Sequence, residues 1–166
     1  MNETIEILCM SDIHGNHRKA EEILKNEQYD ISFFSGDSEL SDSWIKKHFN
    51  FAVCGNNDFL SSLDSVVEVT ISDFKFVLTH GHEFGNYNTL MDYQKLRSAF
   101  LKYKNSDLII YGHTHFPKYF ESKENYPAFI NPGSITYPRF GSTFSYAKVK
   151  IDIKNKLILS VEFKNF

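Results

Sequence analysis

Ser11-Asp12-Ile13-His14-Gly15-Asn16 follows directly on the apolar run Ile5-Glu6-Ile7-Leu8-Cys9-Met10. A strand that stops at an Asp and a His two residues apart presents both side chains at its C-terminal edge, where open α/β sheets place their ligand sites. A hard carboxylate oxygen beside an imidazole nitrogen suits Zn, Mn or Fe better than Ca or Mg. Taken alone, the stretch reads more simply as an Asp capping the next helix with a solvated His nearby. The rest of the chain decides between these readings.

Working outward, Thr4 to Met10 predicts a first strand, nearly all apolar and therefore buried on both faces. Arg18 to Asn26 predicts a helix with Ala20, Ile23 and Leu24 on one side. Ile31 to Ser35 predicts a second strand that runs into Gly36-Asp37, and the helical crossover implies parallel pairing. Ser41 to His48 predicts a short helix capped by Ser41 or Asp42, and Phe51 to Cys54 a third strand ending in Gly55-Asn56-Asn57-Asp58. Ser65 to Ile71 and Phe74 to Thr79 predict a hairpin through Ser72-Asp73, ending in His80-Gly81-His82. Leu90, Tyr93, Leu96 and Phe100 recur at helical spacing and predict one helix from Asn88 to Lys104, capped by Asn88 or Thr89. Asp107 to Tyr111 predicts a strand leading into Gly112-His113-Thr114-His115. From Tyr119 the pattern changes: Tyr119-Phe120, Ala128 to Ile130, Phe144 to Ile153 and Leu157 to Phe163 predict a β meander, with a turn at Lys154-Asn155-Lys156.

Length and composition set outer bounds. A chain of 166 residues, 42% hydrophobic and 23% charged, is expected to fold as one domain over residues 1–166 rather than stay disordered. The formal net charge of -3 and the lack of a Lys/Arg block exclude the electrostatic footprint of a nucleic-acid binder. Cys9 and Cys54 lie in or at the end of apolar runs and read as buried free thiols. The start, Met-Asn-Glu-Thr, lacks the features of a signal peptide, and no run approaches the ~20 apolar residues of a membrane span. A cytoplasmic location without membrane partners is expected. The 26 aromatic residues suggest that some form a homo-oligomer interface or line a substrate cleft.

The polar residues that follow the strands are Asp12, His14, Asp37, Asn56, His80, His82, His113 and His115, which take in five of the chain's 7 histidines. In an extended His-x-His both imidazoles face the same side. A pair of divalent ions ~3.5 to 4 Å apart needs a shared carboxylate, several N and O donors and an open position for water, and this set supplies them.

Asp12-Ile13-His14, Gly36-Asp37, Gly55-Asn56-Asn57-Asp58, His80-Gly81-His82 and Gly112-His113-Thr114-His115 resemble the five ordered motifs of the calcineurin-like metallophosphoesterases. The short length and the Asn131-Pro132-Gly133-Ser134 turn resemble most the small bacterial and archaeal phosphodiesterases described as YfcE-like, with a match from about Ile5 to Ser134. The resemblance implies a four-layer αββα sandwich of two mixed β-sheets flanked by helices. It implies that Asp12, His14 and His115 bind one ion and Asn56, His80 and His113 the other, with Asp37 bridging. Two divalent ions are expected, Mn foremost, with Ni, Zn, Fe or Mg as alternatives. The implied activity is phosphodiester hydrolysis of a small phosphate-ester substrate, through in-line attack by a hydroxide that bridges the ions. The alternatives are a phosphomonoesterase or nucleotide pyrophosphatase, and a protein-interaction scaffold like the retromer subunit of the same fold. That subunit has lost a ligand of the first motif, whereas Asp12 and His14 both stand here.

One residue departs from the pattern. Many larger members carry a His after the metal-binding Asn, where it protonates the leaving group, and this chain has Asn57. An amide hydrogen-bonds but does not donate a proton at neutral pH, so activated diesters such as aryl phosphodiesters are the expected substrates unless His82 or a metal-bound water acts as the acid. Ser38, Asp58 and the 131–134 turn read as structural, and Gly15 and Asn16 as a phosphate-proximal turn. Loops near 60–64, 83–89 and 116–127 are expected to set specificity.

Overall fold

Alternation along strand β1 (Thr4–Met10) sends Ile7 and Cys9 to one face and Leu8 and Met10 to the other, all fully buried. Such a strand needs apolar cover on both sides, and the fold supplies it. In this computed structural model, which describes residues 3–166, β1 lies at the centre of a five-stranded sheet. Parallel neighbours on one side are β2 (Ile31–Phe34) and then β3 (Phe51–Ala52). On the other side β9 (Ser145–Asp152) runs antiparallel to β1, and β10 (Leu157–Asn165) runs antiparallel to β9. The second sheet has the order β4 (Val66–Ile71), β5 (Phe74–Thr79), β6 (Leu108–Ile110), β8 (Ala128–Asn131), β7 (Lys118–Phe120). Its central pairs β5–β6 and β6–β8 are parallel and its outer pairs antiparallel.

Three apolar layers hold these sheets and their helices together. Ile7, Cys9 and Phe33 of the first sheet meet Phe76, Leu78, Leu108 and Ile110 of the second, with Phe33 and Phe76 ring centroids 5.1 Å apart. Leu8, Met10 and Phe34 pack outward against helices α1 (His17–Asn26) and α2 (Asp42–His48). Val77, Ile109 and Phe129 pack against α3 (Tyr87–Leu90) and α4 (Tyr93–Ala99) through Leu90, Leu96 and Phe100. Two mixed sheets between two helical layers are the four-layer αββα sandwich expected. Among the described residues, no helix is long and apolar enough to cross a membrane.

Three expectations need correction. The single helix from Asn88 to Lys104 is instead α3, α4 and a 3-10 turn at Leu101–Tyr103. Asp92 causes the main break: it is extended (φ -119°, ψ 123°) and its carboxylate accepts the Lys95 N–H, so it caps a new helix rather than continuing the old one. The caps are Asn86 for α3 and Asp92 for α4, not Asn88 or Thr89. The C-terminal third is not a meander, because β7 and β8 join the second sheet while β9 and β10 return to the first. Alternation marks a strand but not its neighbour. Of the thiols, Cys9 is buried but Cys54 is partly exposed.

Candidate metal centre

The parallel strands β1, β2, β5 and β6 all end at one edge of the sandwich, and the turns that follow carry the polar set. Asp12 (φ 53°), His14 (φ 45°), Asp37 (φ 61°), His113 (φ 72°) and His115 (φ 58°) all adopt left-handed backbone. Each such residue costs on the order of 1–3 kcal/mol and persists only where its surroundings over-determine it. Here the Asp12 N–H donates to Gly36 O at 3.0 Å, His14 N–H to Asp37 O at 3.0 Å, and Gly112 N–H to His80 O at 2.9 Å. Gly36 is required twice over: its φ is 96°, and a Cβ there would lie 2.9 Å from both Gly55 N and the His80 Cβ.

Side chains from four turns converge. Asp12 Oδ1 is buried and, among the described residues, has no hydrogen-bond partner. It lies 3.0 Å from His115 Nε2, 3.7 Å from His14 Nε2 and 3.9 Å from His80 Nε2. Asp37 Oδ2 is 3.3 Å from His80 Nε2 and 3.8 Å from His14 Nε2. The nitrogens also approach one another, His14 Nε2 to His115 Nε2 at 3.2 Å and His80 Nε2 to His113 Nδ1 at 3.2 Å. Two sets of donors could each hold a cation: Asp12, His14 and His115, and Asp12, Asp37 and His80.

The imidazole tautomers suit metal binding. A carbonyl only accepts, so His80 Nδ1 must carry the proton it gives to Ser35 O at 2.8 Å, and His115 Nδ1 the proton it gives to Tyr137 O at 2.6 Å. Both Nε2 atoms are thereby left as lone-pair donors aimed into the cluster, the usual outer-shell arrangement at metal sites. An orphaned buried carboxylate oxygen among such nitrogens fits a divalent ion.

The electrostatics reflect the crowding of carboxylates and imidazoles. Burial would raise the Asp12 carboxyl, yet His80, His115 and His14 hold it well below the ordinary carboxylate range. Burial likewise opposes the low value of Asp37, which His80 and Asn57 bring down. His14 and His80 are raised against the effect of burial, by Asp12 and Asp37. Burial, and then His80, push His113 down to about 4.

The calcineurin-like phosphoesterase superfamily domain matches residues 5–154. The chain belongs to that superfamily. It is 32% identical over 151 residues to a phosphodiesterase of Methanocaldococcus jannaschii, covering 78% of this chain and 83% of that protein. It is 31% identical over 136 residues to the Mycoplasma genitalium protein named probable metallophosphoesterase, covering 81% of this chain and 80% of that one. A crystal structure of a Streptococcus pneumoniae protein described as a predicted phosphoesterase superposes with a TM-score of 0.82 at 30% identity, covering 99% of this chain and 91% of that one. Vps29 of Cryptosporidium parvum shares the fold at 18% identity and a TM-score of 0.70, covering 98% of each chain.

Within this superfamily fold, the remaining residues fall into distinct places. Asn56 is exposed. Asn57, one residue on, clamps Asp37: its backbone N–H donates to Oδ1 and its Nδ2 to Oδ2, each at 2.8 Å. His82 sits tilted beside the cluster, 5.4 Å from His80 and 6.1 Å from His113 between ring centroids, and burial followed by His80 lowers its pKa. Its Nδ1 is buried and has no partner among the described residues. Asp58 holds two turns together by accepting from the N–H groups of Gly55, Asp37 and Glu39 at 2.7, 2.9 and 2.8 Å. Asn131 Nδ2 donates to Gly112 O and Thr114 Oγ1, while Ser134 Oγ donates to Asp12 O, so the 131–134 turn supports the site from beneath. Sequence reasoning missed the carbonyls of Ser35 and Tyr137, because a backbone acceptor leaves no mark in residue type.

Proposed function

We propose that this protein is a binuclear metal-dependent phosphodiesterase. The observation that carries this reading is Asp12 Oδ1, buried without a hydrogen-bond partner among the described residues and surrounded by imidazole nitrogens of three different turns. Asp12, His14 and His115 would hold one divalent ion, Asn56, His80 and His113 the other, with Asp37 shared. Mn is the ion we expect. When bound, two such ions supply a nucleophilic water near neutral pH and stabilise the phosphoryl oxygens that gain charge.

The chain's own residues prepare that chemistry. The Ser35 and Tyr137 carbonyls keep His80 and His115 in the ligating tautomer. Asn57 fixes both oxygens of Asp37, and each keeps a lone pair for a cation. Because Asn57 cannot protonate a leaving group, diesters with good leaving groups are the substrates we infer, with His82 as the nearest imidazole able to assist poorer ones.

Hydrolysis of bis-p-nitrophenyl phosphate and p-nitrophenyl phosphate by chelated protein, with Mn, Ni, Zn or Mg restored, tests the reading. Mn-restored diester cleavage is expected, and Asp37→Ala should lower it by about 1000-fold, the equivalent of roughly 4 kcal/mol of lost transition-state stabilisation. Folded protein that binds ions but cleaves neither ester would overturn the assignment in favour of a scaffold. His82→Ala should cost ~10-fold or more on an alkyl diester and little on bis-p-nitrophenyl phosphate; equal activities on the alkyl diester would remove His82 from the chemistry.

A further inference from the structure

We propose that the groove running away from His113 receives a nucleobase carried on one arm of the phosphodiester. The inference rests on the phosphodiesterase reading above and names its substrate class. The groove is lined by Asn86, Tyr87, Asn88, Met91, Phe140 and His113, and the His113 Nδ1 also lies 3.2 Å from His80 Nε2 in the metal centre. Because His113 belongs to both, an ester arm of a phosphate held at that centre would lie beside the groove. The Tyr87 ring stands edge-on to the His113 imidazole, 5.1 Å between centroids and 65° between planes. Phe140 meets Tyr87 at 6.0 Å and 85°.

Two features show that these rings are placed rather than left over. Phe140 is 56% exposed, so burial does not account for its position, yet its backbone is held at φ 54°. A bulky residue in left-handed conformation is a strained arrangement of the kind that collects at ligand clamps. Tyr87 is fixed from outside by Arg139, whose Nη1 donates to the phenol oxygen and whose guanidinium carbon sits 5.3 Å from the ring centroid. The polar complement suits a base more than a plain hydrocarbon. Asn86 uses its Oδ1 to accept the Thr89 N–H, which leaves its amide N–H groups available, and the exposed Asn88 adds a second amide. Aromatic faces with a few amide donors and acceptors recognise an unpaired base by stacking and by its hydrogen-bonding edge.

The test uses Mn-loaded protein and three probes: adenosine 5′-monophosphate, phenyl phosphate and methyl phosphate. Inhibition of bis-p-nitrophenyl phosphate cleavage is measured alongside saturation-transfer NMR of the ligand protons. The nucleotide should inhibit about tenfold more tightly than methyl phosphate, with saturation on its base protons. Tyr87→Ala and Phe140→Ala should each abolish that advantage and leave methyl phosphate unchanged. Phenyl phosphate as tight as the nucleotide, or variants that weaken all three probes alike, would overturn the assignment. The two readings fail separately. Wild-type turnover without discrimination among probes sinks only the groove, whereas no diester turnover with any metal sinks the phosphodiesterase reading and the groove with it.

Discussion

Phe33 on β2 and Asp12 just beyond β1 are both fully buried, and their surroundings are opposite. Phe33 lies in extended backbone among apolar side chains, stacked on Phe51 at 5.3 Å and against Phe76 at 5.1 Å. Asp12 lies at φ 53°, with one carboxylate oxygen lacking a hydrogen-bond partner among the described residues. The inter-sheet layer gains from everything it buries. The ligand edge loses on backbone strain and on desolvated charge, and is held in place by the layer beneath it. That division predicts that stability and metal binding respond to different substitutions.

The largest effect is expected from the stabilising side. Phe33→Ala should cost about 3–5 kcal/mol in urea unfolding, lowering Tm by roughly 10 °C for a chain of this size, while the folded fraction keeps its metal affinity. A loss of metal affinity as large as the loss of stability would show that core and edge are not separable. Next comes the edge itself. A divalent ion at ~100 times its Kd should stabilise the wild-type protein by about 2.7 kcal/mol, read as a rise in Tm, because it binds the folded state and relieves the crowded donors. Asp12→Asn should suppress that rise. A Tm indifferent to Mn in the wild type would mean that the strained turns serve something other than a cation.

This contrast explains how much was legible in the chain. The ligand types were, because Asp and His after strand-like runs carry their chemistry in their names, and Asp12, His14, Asp37, His80, His113 and His115 do meet. The three-layer burial was legible at β1, whose two faces are both apolar. The left-handed backbone at five of those residues was not, since Asp and His do not announce positive φ as glycine does. Nor was the break at Asp92, where a polar cap interrupts an apolar stripe that keeps its period across the gap. The Asn57 clamp was hidden for another reason: a residue read as the absence of a proton donor turned out to hold Asp37 by two hydrogen bonds.

The smallest expected effect separates the metal edge from an ordinary, partly exposed ion cluster. Glu27, just past the end of α1, has both carboxylate oxygens partnered by protein groups. Tyr146 Oη donates to Oε1 at 2.5 Å, Lys148 Nζ lies 3.3 Å from Oε2, and Lys164 Nζ lies 3.7 Å from Oε1. These contacts tie α1 to β9 and β10. Burial opposes ionisation, but the Tyr146 hydrogen bond and the two lysines hold Glu27 below its ordinary value. A carboxyl depressed in the folded state contributes stability above its unfolded pKa of about 4.3 and loses it as pH falls through the folded value. Glu27→Gln should therefore cost about 1 kcal/mol at pH 7, and the gap to wild type should close as the pH is lowered below ~4. Added Mn should leave that gap unchanged, because both oxygens already have protein partners and two of those partners are cationic. If the gap persists at low pH, the cluster acts through packing rather than charge. If Mn alters it, the separation between a polar group satisfied by the protein and one reserved for an ion fails at this position.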